Sequence, residues 1–215
     1  MAFVNTIATL CKPNVAINMN YQSYVEVFEA ILQSEKPQPP YDNPDYLNYT
    51  KLNYSRMNRW VKTMELEPNL VSVLKGMDKR QHWIIILEPW CGDVAHSLPF
   101  LMRLAEQSPQ ITYDLQLRDS EPFLINSYLT NGTKSIPKLI VRDEDGIDLF
   151  TWGARPREAQ QLMERLKAEK ADFEIIKTEL QNWYNEDKGR SLQIELLQLF
   201  TAIKQPNSEN KLDNV

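Results

Sequence analysis

Residues 83–94, Trp-Ile-Ile-Ile-Leu-Glu-Pro-Trp-Cys-Gly-Asp-Val, change character half-way along. Trp83 to Leu87 is a short, largely β-branched run without polar alternation, the pattern of a central strand covered on both faces. From Val94 the apolar positions fall at helical spacing through Leu98, Leu101, Met102 and Ala105, with Pro99 as an internal kink and Ser108-Pro109 as the stop. Cys91 therefore stands where a buried strand hands over to a helix. The unpaired N–H groups and positive dipole end of a helix start favour thiolate over thiol, so this position predicts a reactive sulfur. Gly92 is expected to let the backbone turn closely, and Trp90 to cover one side of the sulfur.

Downstream, Ile111, Tyr113, Leu115 and Leu117 alternate with polar residues at period two, a strand with one wetter face. Phe123 to Leu129 reads as a short helix stopped by Asn131-Gly132. Lys138–Val141 and Ile147–Thr151 flank Asp143-Glu144-Asp145-Gly146 as a β-hairpin. A last helix is expected from near Pro156 past Trp183, its Lys/Arg and Asp/Glu evenly interleaved, with Gly189 as its break. Leu192, Leu196, Leu199, Phe200 and Ile203 then mark a further apolar helix before a polar tail.

Upstream, Tyr24, Val27, Phe28, Ile31 and Leu32 share one helix face. After a proline-rich connector, Asn43 as N-cap and Pro44 at the first position start a longer helix with the stripe Tyr54, Met57, Val61 and Met64, and Trp60 beside it. Glu67-Pro68 begins a shorter helix ending near Gly76. Six of the nine tyrosines lie in this region, and packing against the rest of the chain is their expected use. The boundaries that follow are a helical extension over 1–80, an α/β core over 81–188, and a C-terminal helix with its tail over 189–215.

The chain has 215 residues, 42% hydrophobic and 25% charged, with a net charge of −5. That balance lacks the electropositive bias of a phosphate-backbone binder, so nucleic acid is not an expected partner. No run of 18 or more apolar residues occurs and the start lacks a basic, apolar leader pattern, so the expectation is a cytoplasmic protein with no membrane partner. Two cysteines and two histidines, without a Cys/His cluster, do not suggest a disulfide framework or a metal site.

Trp90-Cys91-Gly92 on a strand-to-helix turn, Pro99 eight residues after the cysteine, and Ile136-Pro137 ahead of a strand resemble the thioredoxin superfamily over roughly Gln81 to Lys188. LNYTKLNYSRMNRW, WCGD, SIPKL and TWGARP together resemble an uncharacterised bacterial branch of thioredoxin-like proteins. The resemblance implies an α/β thioredoxin-like fold: a central mixed four-stranded sheet in the order β-α-β-α-β-β-α, with added N-terminal and C-terminal helices. It makes Cys91 the attacking thiol and places Trp90, Gly92, Ile136 and cis-Pro137 around the substrate. Val94 stands where a dithiol thioredoxin has its second cysteine, and Ile85 where thioredoxins commonly keep a buried acid.

A single thiolate can form a mixed disulfide, but releasing the substrate reduced needs another thiol. The expectation is a monothiol protein with no bound cofactor, exchanging with a peptide or protein disulfide, or with a low-molecular-weight thiol as co-substrate. Cys11 is a candidate resolving thiol, and the oligomeric state is left open. The alternative is a non-catalytic binding module using the Pro137 groove. Asp93 is expected to compensate the helix dipole, and Lys138 to face outward. His96, about 140° round the helix from Cys91, is not aimed at the sulfur. Arg155-Pro156 reads as the turn into the last helix.

Overall fold

The strand at the centre is β1 (Gln81–Leu87), whose side chains from Trp83 to Leu87 are all buried. It pairs in parallel with β2 (Ile111–Leu117) and antiparallel with β3 (Lys138–Asp143), and β4 (Asp148–Trp152) pairs antiparallel with β3. The sheet order is β2-β1-β3-β4, and Ile85 lies between Leu115 and Leu139. These relations come from a computed structural model that describes residues 19–204. Three helices precede β1: α1 (Tyr21–Gln33), α2 (Pro44–Thr63) and α3 (Pro68–Lys75). Helix α4 (Gly92–Ala105) joins β1 to β2, and α5 (Arg157–Ala168), α6 (Phe173–Asp187) and α7 (Arg190–Lys204) follow the sheet. Among the described residues, no helix is long and apolar enough to cross a membrane.

Local chemistry explains the helix starts. The Asn43 side chain accepts from the Asp45 N–H at 2.9 Å while Pro44 occupies the first turn, where no donor is needed. Asn20 caps α1 through the Ser23 N–H at 2.9 Å. The buried line of α2 differs from the expected stripe: Thr50, Asn53, Met57 and Trp60 are buried, whereas Val61 is 41% exposed. Packing against α4 sets that rotation, because the Trp60 ring lies 5.5 Å from Phe100. Two polar side chains thereby enter the buried face.

Two expected helices come out shorter. Between β2 and β3 the helix expected over 123–129 is one 3-10 turn, Leu124–Ser127, with only Ile125 buried and Phe123 and Leu129 exposed. A segment with a single buried anchor gains too little from burial to hold a full helix. The long final helix breaks after Ala168. Lys170 adopts φ 56°, its N–H returns to the Lys167 carbonyl at 3.1 Å, and the Ala171 N–H reaches the Leu166 carbonyl at 3.0 Å. This paired closure is normally marked by glycine, and lysine hides it from sequence reading. In the hairpin, Ile147 stays in the turn and β4 begins at Asp148.

Helix α7 seals one side of the sheet, Phe200 stacking on Trp83 at 5.7 Å and meeting Phe150 edge-on at 5.0 Å. The chain enters α7 through Gly189, at φ 76°, where a Cβ would lie 2.4 Å from the fully buried Phe100 ring. Gly189→Ala meets both a left-handed backbone and an overfilled core, and is expected to cost about 2 kcal/mol or more. Urea denaturation checks this; an unchanged midpoint would show that the Phe100 contact yields freely.

Candidate active site

Cys91 is the N-cap of α4, with φ −85° and ψ 120°, and its side chain makes no capping bond. The thiol instead donates to the Ile136 carbonyl at 3.4 Å. The fold thus joins two sequence-distant pieces, the Trp90-Cys91-Gly92 turn after β1 and the Ile136-Pro137 segment before β3, whose peptide bond is cis. On the helix side, the N–H groups of Val94 and Asp93 face the sulfur. Val94 and Ile85 are buried at 1% and 0% exposure, so neither a second thiol nor an acid stands at those places.

The charge state differs from the sequence expectation. Cys91 is 8% exposed, and burial, reinforced by the neighbouring Asp93 carboxylate, pushes its thiol up to about 12. The Val94 and Asp93 N–H groups and the Arg155 guanidinium pull the other way but do not prevail. Desolvation outweighs the helix terminus because the site is covered. Helix α2 lies over the turn: wholly buried Asn53 donates from Nδ2 to the Pro89 carbonyl at 3.0 Å and accepts at Oδ1 from Arg56 at 2.9 Å. Half-buried Trp90 carries the Arg118 guanidinium 4.6 Å above its ring and Tyr46 edge-on at 5.9 Å. At neutral pH the sulfur is a covered, neutral thiol.

Other expected roles change with the geometry. Gly92 lies in ordinary helical backbone, and a Cβ there would meet Arg56 Nη1 at 3.6 Å and Asn53 Oδ1 at 4.0 Å, ordinary contacts, so the turn does not require glycine. Gly153 is the glycine the site needs: at φ 115°, an added Cβ would fall 2.1 Å from the Pro137 carbonyl oxygen. Lys138 does not face outward. It is 6% exposed, with Nζ donating to Thr130 Oγ1 at 2.6 Å, because the first residue of β3 points inward beneath the Gly153 backbone. Cys11, the candidate resolving thiol, lies outside the described residues.

A buried polar network behind Cys91 escaped the sequence reading. Asp93 accepts from Arg155 Nε at 3.1 Å and from Arg155 Nη2 on one oxygen, and from the Tyr184 hydroxyl at 2.7 Å on the other. Arg155, read as part of a turn, is therefore part of the site's surroundings. Glu88 is also buried, at 6%, accepting from the Asp119 N–H at 3.0 Å, and burial raises its carboxyl to about 7. Nothing local marks Arg155 or Tyr184, which lie 62 and 91 positions from Asp93.

His96 is occupied elsewhere. Its Nδ1 accepts from Trp60 Nε1 at 2.9 Å, so Nε2 carries the proton and donates to Gln181 Oε1 at 3.1 Å, while the ring stacks on Tyr184 at 4.3 Å. His82 pairs with Thr112 and Asp114 at the opposite end of β1. Among the described residues no group of three or more His, Cys, Asp or Glu side chains could hold a metal ion.

A family model described as thioredoxin matches residues 41–170, more than half of the chain. The chain belongs to the thioredoxin family. The match begins inside the helical extension, so the matched region includes α2 together with the sheet. Among solved structures, a crystal structure of an HIV epitope scaffold is similar at 16% identity and a TM-score of 0.50, covering 83% of this chain and 98% of that one. A protein of unknown function from Pseudomonas aeruginosa is similar at 15% identity and a TM-score of 0.48, with 86% and 99% covered. The first likeness shows the fold alone. No curated protein matches.

Burial pushes the His96 imidazole down to about 3, so its contribution to stability is complete above its unfolded value near 6.5 and is lost as pH falls toward 3. Its ring carbon resonances are expected not to titrate between about pH 5 and about pH 8. A titration midpoint near 6.5 in the folded protein would contradict the Trp60–His96–Gln181 chain.

Proposed function

We propose that this thioredoxin-family protein works as a monothiol: Cys91 forms mixed disulfides with a peptide or a small thiol, and the protein acts in the cytoplasm. The observation that carries the reading is the Cys91 thiol against the Ile136 carbonyl, beside Pro137 and at the first turn of α4. There the backbone of residues 136–137 lies next to the sulfur that a disulfide substrate must reach. WCGD, with valine three positions after the cysteine, supports a one-thiol cycle.

The step is balanced as exchange. Cys91 gives its proton to solvent, and its thiolate attacks one sulfur of R–S–S–R′. A Cys91–S–S–R bond forms, the S–S bond breaks, and R′–S⁻ leaves with the electron pair and takes up a proton. A low-molecular-weight thiol, Cys11 or a partner cysteine, having lost its proton to solvent, then attacks the sulfur bonded to R; a new disulfide forms, the Cys91–S–S–R bond breaks, and Cys91 leaves as thiolate and takes up a proton. One disulfide has been exchanged for another. Because so little of Cys91 is ionised at neutral pH, attack is slow, and because a high-pKa thiol is a poor leaving group, the mixed disulfide once formed is long-lived. That suits capture and holding of a partner better than rapid turnover.

The same burial favours a second reading, a binding module in which the Pro137 groove holds a partner segment and Cys91 is incidental. Intact mass after incubation with glutathione disulfide separates the two, using Cys11→Ser protein with Cys91→Ser as control. The proposal expects one adduct, mapped to Cys91, whose initial rate rises about tenfold per pH unit between about pH 7 and about pH 10 without levelling. A native protein that takes no adduct, while unfolded protein takes one readily, supports binding alone.

A further inference from the structure

Two sequence fragments with no evident relation, Trp90-Cys91-Gly92-Asp93 and Gly153-Ala154-Arg155-Pro156, meet behind the sulfur. Asp93 is two residues from Cys91 in the first turn of α4, where a carboxylate suits the helix dipole but opposes a thiolate. Its two oxygens are divided between partners from different elements: one receives Arg155 Nε and Nη2 from the β4–α5 connection, the other the Tyr184 hydroxyl from α6. The Asp93 and Arg155 side chains are only 12% and 13% exposed, so solvent does little to screen them. The remaining Arg155 donors are fixed as well, Nη1 reaching Gln160 Oε1 at 2.8 Å and Met163 Sδ at 3.0 Å. Together these bonds hold the guanidinium against Asp93.

We propose that Arg155 is a positioning residue for the Cys91 site, its guanidinium and the Tyr184 hydroxyl binding both Asp93 oxygens so that this carboxylate stands beside the reacting sulfur with its charge partly offset. The inference rests on Cys91 as the reacting group and adds the device that sets its ionisation. Asp93 pushes the thiol up and Arg155 pulls it down, the signs expected of a pair acting on the sulfur through space. Tyr24 from α1 and Arg118 after β2 also act on the Cys91 end of the helix, while Arg56 from α2 and His96 act on Asp93. Glu88, behind β1, acts on Tyr24 and Arg118. Among the described residues only Arg155 and Tyr184 are bonded to the Asp93 carboxylate.

The pair makes opposite demands on two variants. Without Arg155, an uncompensated carboxylate faces the sulfur; without the Asp93 charge, an uncompensated guanidinium does. The test is the pH profile of Cys91 alkylation by iodoacetamide, a neutral reagent, in full-length Cys11→Ser protein, where one unit of thiol pKa is about tenfold in rate at a fixed pH below it. Arg155→Met is expected to slow alkylation at about pH 8 by about fivefold or more and move the profile to higher pH. Asp93→Asn is expected to accelerate it by about fivefold or more and move the profile to lower pH. The double variant returns to within about threefold of the parent, and Arg155→Lys, which keeps the charge without the fork, recovers most of the Arg155→Met loss.

A purely structural role moves both single variants the same way, or leaves the profile superposed on the parent's; either result overturns the inference. Should Arg155→Met not fold, Asp93→Asn carries the sign alone, and absence of acceleration is then the contradicting result. Alkylation reads sulfur ionisation whether or not Cys91 exchanges disulfides. Failure here therefore leaves mixed-disulfide formation with glutathione disulfide standing, and failure of that adduct leaves the Arg155 result standing.

Discussion

The constraint on which this site depends is the covering of one sulfur atom at a helix start. Cys91 has the N–H groups of Val94 and Asp93 on one side and the Ile136 carbonyl on the other, two environments with opposite preferences. Amide donors stabilise a thiolate, whereas a carbonyl acceptor suits a thiol that still has its proton. Burial decides between them. Helix α2 is fastened to the turn through the Asn53–Pro89 bond, and with Cys91 only 8% exposed the neutral thiol and its bond to Ile136 prevail. Exposure rather than helix polarity then sets the charge state of this cysteine.

The extension before β1 is consequently part of the site's chemistry. Its buried polar face, Thr50 and Asn53, lies where a simple amphipathic helix would carry apolar residues, and Asn53 spends its amide on the Pro89 carbonyl and on Arg56. Farther along α2, Trp60 fixes the tautomer of His96, whose ring stacks on Tyr184, and Tyr184 in turn bonds Asp93. A continuous set of contacts therefore runs from α2 through α4 to α6. The α/β core supplies the strand-to-helix turn, and the surrounding helices set its solvation and charge.

The framework was largely legible in the sequence. The apolar run of β1, the period-two alternation of β2, the Asn43-Pro44 start and the Asp143–Gly146 turn are local signals, each fixed by residues within a few positions of one another. The pairing of Cys91 with the Ile136-Pro137 segment was accessible through family resemblance. What stayed hidden was carried by long-range packing or by unusual local choices. Lysine at the left-handed position 170 concealed the end of α5, and a single buried anchor, Ile125, left one turn where a helix was expected. Lys138 lay inside because the sheet's closure onto Gly153 and Thr130 encloses its side chain. The thiolate expectation failed for a similar reason: spacing shows that a cysteine caps a helix, but not how much of the fold lies on top of it.

The most direct test of this account is the ultraviolet absorbance of the Cys91 thiolate, taken as the difference between Cys11→Ser protein and the same protein with Cys91→Ser, titrated from about pH 6 to about pH 9. The covered, carbonyl-bonded thiol described here predicts a flat difference across that range, with absorbance growing only at more alkaline pH. A complete step with its midpoint below about pH 7 would show that the helix start controls the sulfur after all, and would contradict the account.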